Sequence, residues 1–209
     1  YSYPYGIMVD INVKRFVDEG EDFFSYTYAK CGREVLRLPW RTAYQIFDSK
    51  TRPLLRSEYN RGFHVSADSI EALAKKLPGL DWENVVKTVN QFNDAVNDAP
   101  FDPSKHDGKC AGAITPVKSN WAQRLDTPPY YAFPVTCGIT FTFGGIGISE
   151  KGEVRDTSEN AIGGLYAAGE ITGGSFFNNY PGGSGLMKGA VFGRLAGTSA
   201  AAFAKANRV

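Results

Sequence analysis

Apolar positions recur with two different periods along the 209 residues, and the switches between those periods mark out the elements. Ile7, Val9 and Ile11 alternate with Met8 and Asp10, which predicts a strand; Asn12-Val13-Lys14 then reads as a turn and Arg15-Phe16-Val17 as a returning strand. Ser25 to Leu36 predicts a helix, closed by Pro39, and Thr42 to Phe47 alternates with aromatic and β-branched residues as a strand does. Asp68 with Glu71 fits a capping pair, ahead of an apolar face made by Ile70, Leu73, Ala74 and Leu77. Pro78-Gly79 breaks the chain, and Asp81 caps a second helix with Val85, Val89, Phe92 and Val96 on one side. No polar residues converge on these stripes, so they are read as core packing.

The pattern weakens between residues 98 and 129, which are rich in Pro, Gly, Asp and Lys; this reads as a long surface connection, an ordered loop over a site. From Tyr130 to Ile148 the composition turns to Thr, Phe, Tyr, Val, Ile and Gly, which predicts β structure. Gly163 to Glu170 is a short strand running into a glycine turn, and the chain closes in a helix from Gly185 to Ala206. The expected division falls near residue 141, with an α+β domain before it. The segment 142–209 after it buries too little surface to fold alone and is expected to pack onto something larger.

Composition narrows the function classes. Hydrophobic residues make up 43% and charged residues 22%, and a formal net charge of +1 gives no electrostatic case for nucleic acid or an anionic membrane as partner. No apolar run approaches the roughly 20 residues of a bilayer span, and Tyr-Ser-Tyr-Pro-Tyr-Gly has neither part of a secretory signal. Tyr1 in place of Met leaves two origins open, a start inside a longer product or a trimmed end. Cys31, Cys110 and Cys137 are odd in number and far apart, which predicts reduced thiols in a cytoplasmic setting; with only His64 and His106 beside them, no metal site is expected.

Three glycine-rich segments carry the candidate chemistry. Gly182-Gly183-Ser184-Gly185 opens the last helix, and glycines at 185, 189, 193 and 197 form a ridge along one face. Each mid-helix glycine costs about 0.5–1 kcal/mol relative to Ala, a loss that close approach to a sheet or flat ligand would offset. A membrane GxxxG reading fails because Lys188 and Arg194 interrupt the apolar stretch. The helix N-terminus suits an anion or polarised carbonyl, with a purely structural turn as the alternative. In Ala167 to Gly174, Glu170 is either an acceptor for a ligand hydroxyl or an exposed turn carboxylate. In Gly138 to Gly145, alternation puts the Thr140 and Thr142 hydroxyls on one strand face, either toward a ligand or toward solvent.

Together "GITFTFGGIGIS", "GGLYAAGEITGG" and "NNYPGGSGLMKGAVFGRLAGTSAA" resemble the closing portion of FAD-dependent oxidoreductases of the fumarate reductase type, a group that includes 3-ketosteroid Δ1-dehydrogenase and tricarballylate dehydrogenase. "GIMVDINVKRFVDEG" is similar to the segment that opens their capping domain, and "NNYPGGSGLM" with "GEDFFSYTYAK" looks closest to the tricarballylate dehydrogenase-like members. The resemblance implies an α+β substrate-capping domain at 1–141, followed at 142–209 by the C-terminal strands and helix of an α/β FAD-binding domain. The GxGxxG segment that holds the ADP part of FAD in that family is not found in this sequence, so the missing N-terminal half is an implied partner. Carried over, the backbone of Phe141 and the side chain of Glu170 face FAD, and Ser184, Gly185 and Leu186 lie at the flavin pyrimidine edge.

The chain departs from the fumarate reductase pattern in three places. Thr140-Phe141 stands where those enzymes carry a histidine, Tyr180 where they carry an arginine, and Phe23 where they place a proton-donating arginine. Tyr180 is similar to the tyrosine that assists substrate in the ketosteroid dehydrogenases, which makes it the candidate catalytic residue, with Thr140, Thr142 and Tyr28 as candidate substrate contacts. The expected function is FAD-linked oxidation or reduction of a CH–CH bond beside a carboxylate or carbonyl in a small-molecule substrate. The alternative is a non-catalytic binding or assembly module that lacks the nucleotide half.

Overall fold

The alternating stretches at Ile7 and Thr42 are strands, as their pattern predicts, and they pair with each other. In a computed structural model of the chain, which describes residues 1–140 and 142–207, they are β1 (Ile7–Asp10) and β2 (Thr42–Phe47). With β3 (Val65–Ala67) and β4 (Tyr130–Thr136) they form one antiparallel sheet in the order β1-β2-β4-β3, with Ile7 opposite Ile46 and Ile46 opposite Ala132. Three helices cover the sheet: α1 (Phe24–Arg37), α2 (Ile70–Ala74) and α3 (Trp82–Ala95). The face carrying Ile7, Val9 and Ile46 packs on Leu73, Val89 and Phe92 of α2 and α3. Met8 and Ala43, on the other face, pack on Cys31 and Val35 of α1. These elements belong to the first of two compact units, Tyr1–Cys137 and Gly138–Val209.

Local chemistry explains where the helices begin. Asp81 Oδ1 accepts from the amides of Glu83 at 3.1 Å and Asn84 at 3.4 Å, the cap that the sequence predicts. The cap of α2 is Ser69 rather than Asp68: its hydroxyl accepts from Ala72 N at 3.1 Å, because only a side chain three residues before that amide has the reach.

The returning strand expected at Arg15-Phe16-Val17 is reduced to a single bridge between Val9 and Arg15. Asp10 closes a tight turn by accepting from the amides of Asn12 and Lys14, and the chain then leaves the sheet so that Arg15 can bury its guanidinium against Glu19.

The stretch from 98 to 129 carries no named helix or strand, but it is not the surface connection expected from its composition. Ala111, Trp121, Ala122 and Leu125 are all buried. An irregular backbone taken inside must still find partners for its carbonyls and amides. Some lie in the backbone itself, where Ala111 and Lys118 exchange two hydrogen bonds at 2.9 and 3.2 Å, and others come from side chains. Arg15 Nη1 donates to Pro116 O at 2.5 Å, Asn120 Nδ2 to Gly20 O at 2.9 Å, and Lys118 Nζ to Pro4 O and Gly6 O at 2.6 Å each. Gly20 lies so close to Asn120 that a Cβ there would collide with the Asn120 backbone.

The second unit contains the hairpin β5 (Glu153–Arg155) and β6 (Ala161–Tyr166) and one long helix, α4 (Ser184–Ala206). Gly152, with φ +80°, lets α4 approach, since a Cβ there would lie 2.6 Å from that of Ala196. The β structure expected to run from Tyr130 to Ile148 stops at Thr136. Beyond it, among the described residues, only Ile146 and Ile148 make isolated bridges, to Thr172 and Val154. The Thr140 and Thr142 hydroxyls therefore do not share a strand face.

Burial pulls the Lys118 ammonium down from 10.5 to about 8, with the Glu19 carboxylate opposing that shift. The charged form is penalised on folding, in full below about pH 8, and the penalty disappears as pH rises past the unfolded value of 10.5. A neutral amine still donates to both carbonyls. Lys118 should therefore make the wild-type fold gain stability between pH 8 and 10.5 by at most about 3 kcal/mol, a gain that Lys118→Met lacks. Urea denaturation of both proteins across that range checks this, and parallel stability curves would contradict it.

Candidate functional site

In the second unit, two of the three glycine-rich segments are joined by backbone contact at positions where side chains are missing. Ile146 N donates to Ile171 O at 2.8 Å and Gly173 N to Ile146 O at 3.0 Å, a two-bond clasp between the 145–148 and 169–174 segments. Gly145 and Gly173 face each other across this clasp, where a Cβ on either would run into the other segment's backbone. Thr172 is fully buried beneath, its hydroxyl donating to Gly169 O at 2.8 Å and so closing the turn that carries Glu170.

Glu170 projects from this turn into solvent. Its Oε1 accepts from Thr142 N at 3.2 Å and Thr142 Oγ1 at 3.3 Å, while Oε2 accepts nothing among the described residues. The structure thus brings together Glu170 and Thr142, two residues that the sequence singled out separately. Thr140 is exposed in the same segment, and Phe141, the expected backbone contact to FAD, lies outside the described residues.

α4 opens at Gly183, whose φ of +85° only glycine adopts without strain. Ser184 is committed locally, its hydroxyl donating to Pro181 O at 2.6 Å. Ser184 N and Met187 N turn back to Pro181 O and Gly183 O, so Gly185 and Leu186 are the first-turn amides left without helical acceptors. Leu186 is 80% exposed. Gly169, Gly174 and Gly183 all have positive φ and, among the described residues, nothing within 4 Å of where a Cβ would stand. An exposed helix terminus, open glycine turns and a carboxylate acceptor are a donor and acceptor set that fits a flavin with hydroxyl-bearing substituents.

Tyr180 is buried, its ring 5.8 Å from that of Phe143 in an edge contact and 6.1 Å from that of Phe176. Tyr28 belongs to the first unit, on the half-buried side of α1, with its ring 6.3 Å from that of Tyr1.

The glycine ridge behaves differently from expectation. Gly189 approaches Gly169 Cα, at 3.9 Å from its Cβ position, whereas Gly193 and Gly197 meet nothing within 4 Å among the described residues. The tight contacts fall at Gly145, Gly152 and Gly173 instead, in turns that helical spacing cannot reveal. Lys188, in sequence an interruption of an apolar helix, is buried and donates to Thr172 O. A lone lysine in such a stretch was the available signal.

A profile of the family described as FAD binding domain matches residues 4–186. The fumarate reductase (cytochrome) of Shewanella frigidimarina is 35% identical over 208 residues, covering 96% of this chain and 33% of that protein. A solved open conformation of a flavocytochrome c3 fumarate reductase superposes with a TM-score of 0.69 at 31% identity, covering 97% of this chain and 34% of that one. 3-Ketosteroid Δ1-dehydrogenase from Sterolibacterium denitrificans gives a TM-score of 0.69 at 26% identity, over 96% of this chain and 40% of that one. The chain thus spans about a third of the length of the fumarate reductases it matches.

Adding a methyl group at Gly145 or Gly173 forces backbone apart, so Gly145→Ala and Gly173→Ala should each destabilise by at least the 1–3 kcal/mol typical of overpacking. Gly193→Ala in the 1–209 chain meets open space and should stabilise by about 0.5–1 kcal/mol through helix propensity. Thermal melts of the three variants order them, and a Gly145→Ala melt matching wild type would contradict the clasp.

Proposed function

Because the chain belongs to the FAD binding domain family, we propose that it supplies the substrate-capping domain and the closing flavin-contacting segment of an FAD-dependent oxidoreductase acting on a CH–CH bond next to a carboxylate or carbonyl. The observation that carries this reading is the grouping in the second unit of the open first turn of α4, the glycine turns and the Glu170 carboxylate. On this reading Tyr1–Cys137 is the cap and Gly138–Val209 completes the flavin domain. A small polycarboxylate is the first substrate class and a cyclic ketone the second, supported respectively by the fumarate reductase and ketosteroid dehydrogenase relatives.

FAD, when bound, supplies the hydride acceptor. The amides of Gly185 and Leu186, at the positive end of α4, favour negative charge on the cofactor's pyrimidine edge. Glu170 takes a cofactor hydroxyl while holding Thr142 in place. The Tyr180 hydroxyl donates to the substrate's carbonyl or carboxylate oxygen and stabilises charge that develops as a proton is removed from the adjacent carbon. Thr140, Thr142 and Tyr28 are its proposed substrate contacts. A reducing, cytoplasmic setting remains part of the proposal; all three cysteines are free, and no described helix is long and apolar enough to cross a membrane.

Tyr180→Phe in the complete protein should lower turnover by about 10²-fold with flavin still bound, as read from visible absorbance and steady-state rates. Turnover within a few-fold of wild type would remove Tyr180 from the chemistry and turn attention to Tyr26, Tyr28 and Lys30. Residues 1–209 alone, with no GxGxxG segment, should bind FAD more weakly than micromolar, and stoichiometric FAD co-purifying with them would contradict this.

A further inference from the structure

We propose that Lys188 is a positioning residue of the flavin site: its ammonium holds the Gly169–Gly174 turn against α4, and through that turn sets the carboxylate of Glu170. The proposal rests on the flavin reading of Glu170 given above.

The placement of Lys188 is unfavourable. It is only 8% exposed, and desolvating an ammonium is costly unless buried acceptors compensate. An alanine or leucine would not incur that penalty. What the lysine gains is an acceptor in the turn itself, since Nζ donates to the carbonyl of Thr172.

Thr172 is the pivot of the turn. Besides receiving Lys188 at its carbonyl, it donates through its amide and hydroxyl to Gly169 O, at 3.2 and 2.8 Å. The residues on either side of it, Ile171 and Gly173, make the clasp to Ile146. Glu170 therefore sits between two ends that are fixed to the same pivot, and its Oε1 in turn fixes Thr142 by amide and hydroxyl. Gly189, the next residue of α4, lies beside the same turn, its Cβ position 3.9 Å from Gly169 Cα. A series of hydrogen bonds thus runs from a buried charge on the helix to the one carboxylate that the site offers a cofactor hydroxyl. With Lys188 removed, the Thr172 carbonyl loses a charged partner and the turn loses its fixed distance from α4.

FAD titrated into apoprotein of the complete polypeptide tests this with Lys188→Met, Lys188→Arg, Glu170→Gln and the Lys188→Met/Glu170→Gln pair. Loss of a charge-assisted hydrogen bond corresponds to a weakening of about tenfold or more, expected for Lys188→Met and for Glu170→Gln. If the lysine acts through the carboxylate, the double variant should bind no more weakly than the weaker single, and Lys188→Arg should return affinity to within a few-fold of wild type. A general loss of stability would instead multiply the two effects, which overturns the proposal, as does wild-type affinity in Lys188→Met. If Glu170→Gln binds FAD like wild type, the flavin reading of Glu170 fails and the proposal falls with it. If Glu170→Gln weakens binding but Lys188→Met does not, the flavin reading stands and Lys188 alone is excluded. Should Lys188→Met fail to fold, Lys188→Gln, which keeps a donor without the charge, replaces it in the cycle with the same expected non-additivity.

Discussion

Buried lysine and arginine nitrogens bonded to backbone carbonyls brace this chain where regular structure stops. Lys118 reaches Pro4 and Gly6, Arg15 reaches Pro116, and Lys109 reaches Asn97 and Ala99, all in the first unit. In the second unit Lys188 does the same for Thr172. A carbonyl taken out of water without a partner costs about as much as a lost hydrogen bond, and strands and helices answer that cost among themselves. Between residues 98 and 129 no named element is present, and isolated backbone bridges such as that of Ala111 with Lys118 answer only part of it. A long flexible side chain with several donors can cross the gap and serve two carbonyls at once, as Lys118 and Lys109 do. Its own burial is tolerable only because those acceptors, and in the case of Arg15 the Glu19 carboxylate, replace the lost water.

The same constraint shapes the candidate site. A surface that accepts a flat ligand edge-on has to leave amides and turns uncovered, so it cannot be built from side chains packed in layers. Here the exposed parts are the first turn of α4 and glycine turns with positive φ, while rigidity comes from underneath. The Ile146 clasp, the buried Thr172 and the Lys188 ammonium fix the backbone from the side away from solvent. Glycine serves two different purposes in this arrangement. Gly145 and Gly173 permit two backbones to touch, whereas Gly169, Gly174 and Gly183 supply left-handed turns beside open space.

Tyr180 shows how packing and chemistry meet. Its phenol ring is buried and packs edge-on against Phe143. Under the proposal above, the hydroxyl of this packed ring donates to a substrate oxygen.

Much was legible in the sequence because the physics involved is local. Alternation over Thr42 to Phe47, the Asp81 cap, the apolar face of α3 and the glycine entry to α4 each depend on residues within a turn or two of one another, and the family resemblance rests on motifs of that kind. The boundary of α2 was misplaced by one residue because Asp68 and Ser69 are both good caps, and the choice between them depends on which reaches the Ala72 amide. The returning strand at Arg15 and the surface loop at 98–129 were misread for a different reason. Whether Lys118 is a solvated charge or an interior brace depends on carbonyls 114 and 112 positions away, and no window along the chain contains both partners. Lys188 looked like an interruption for the same reason, its acceptor lying 16 residues back across a turn. The sequence by itself therefore determined the locally patterned elements such as β2 and α3, the Asp81 cap and the family. Only the tertiary structure decided which polar side chains go inside, because burial of a charge is settled by acceptors that the fold brings together.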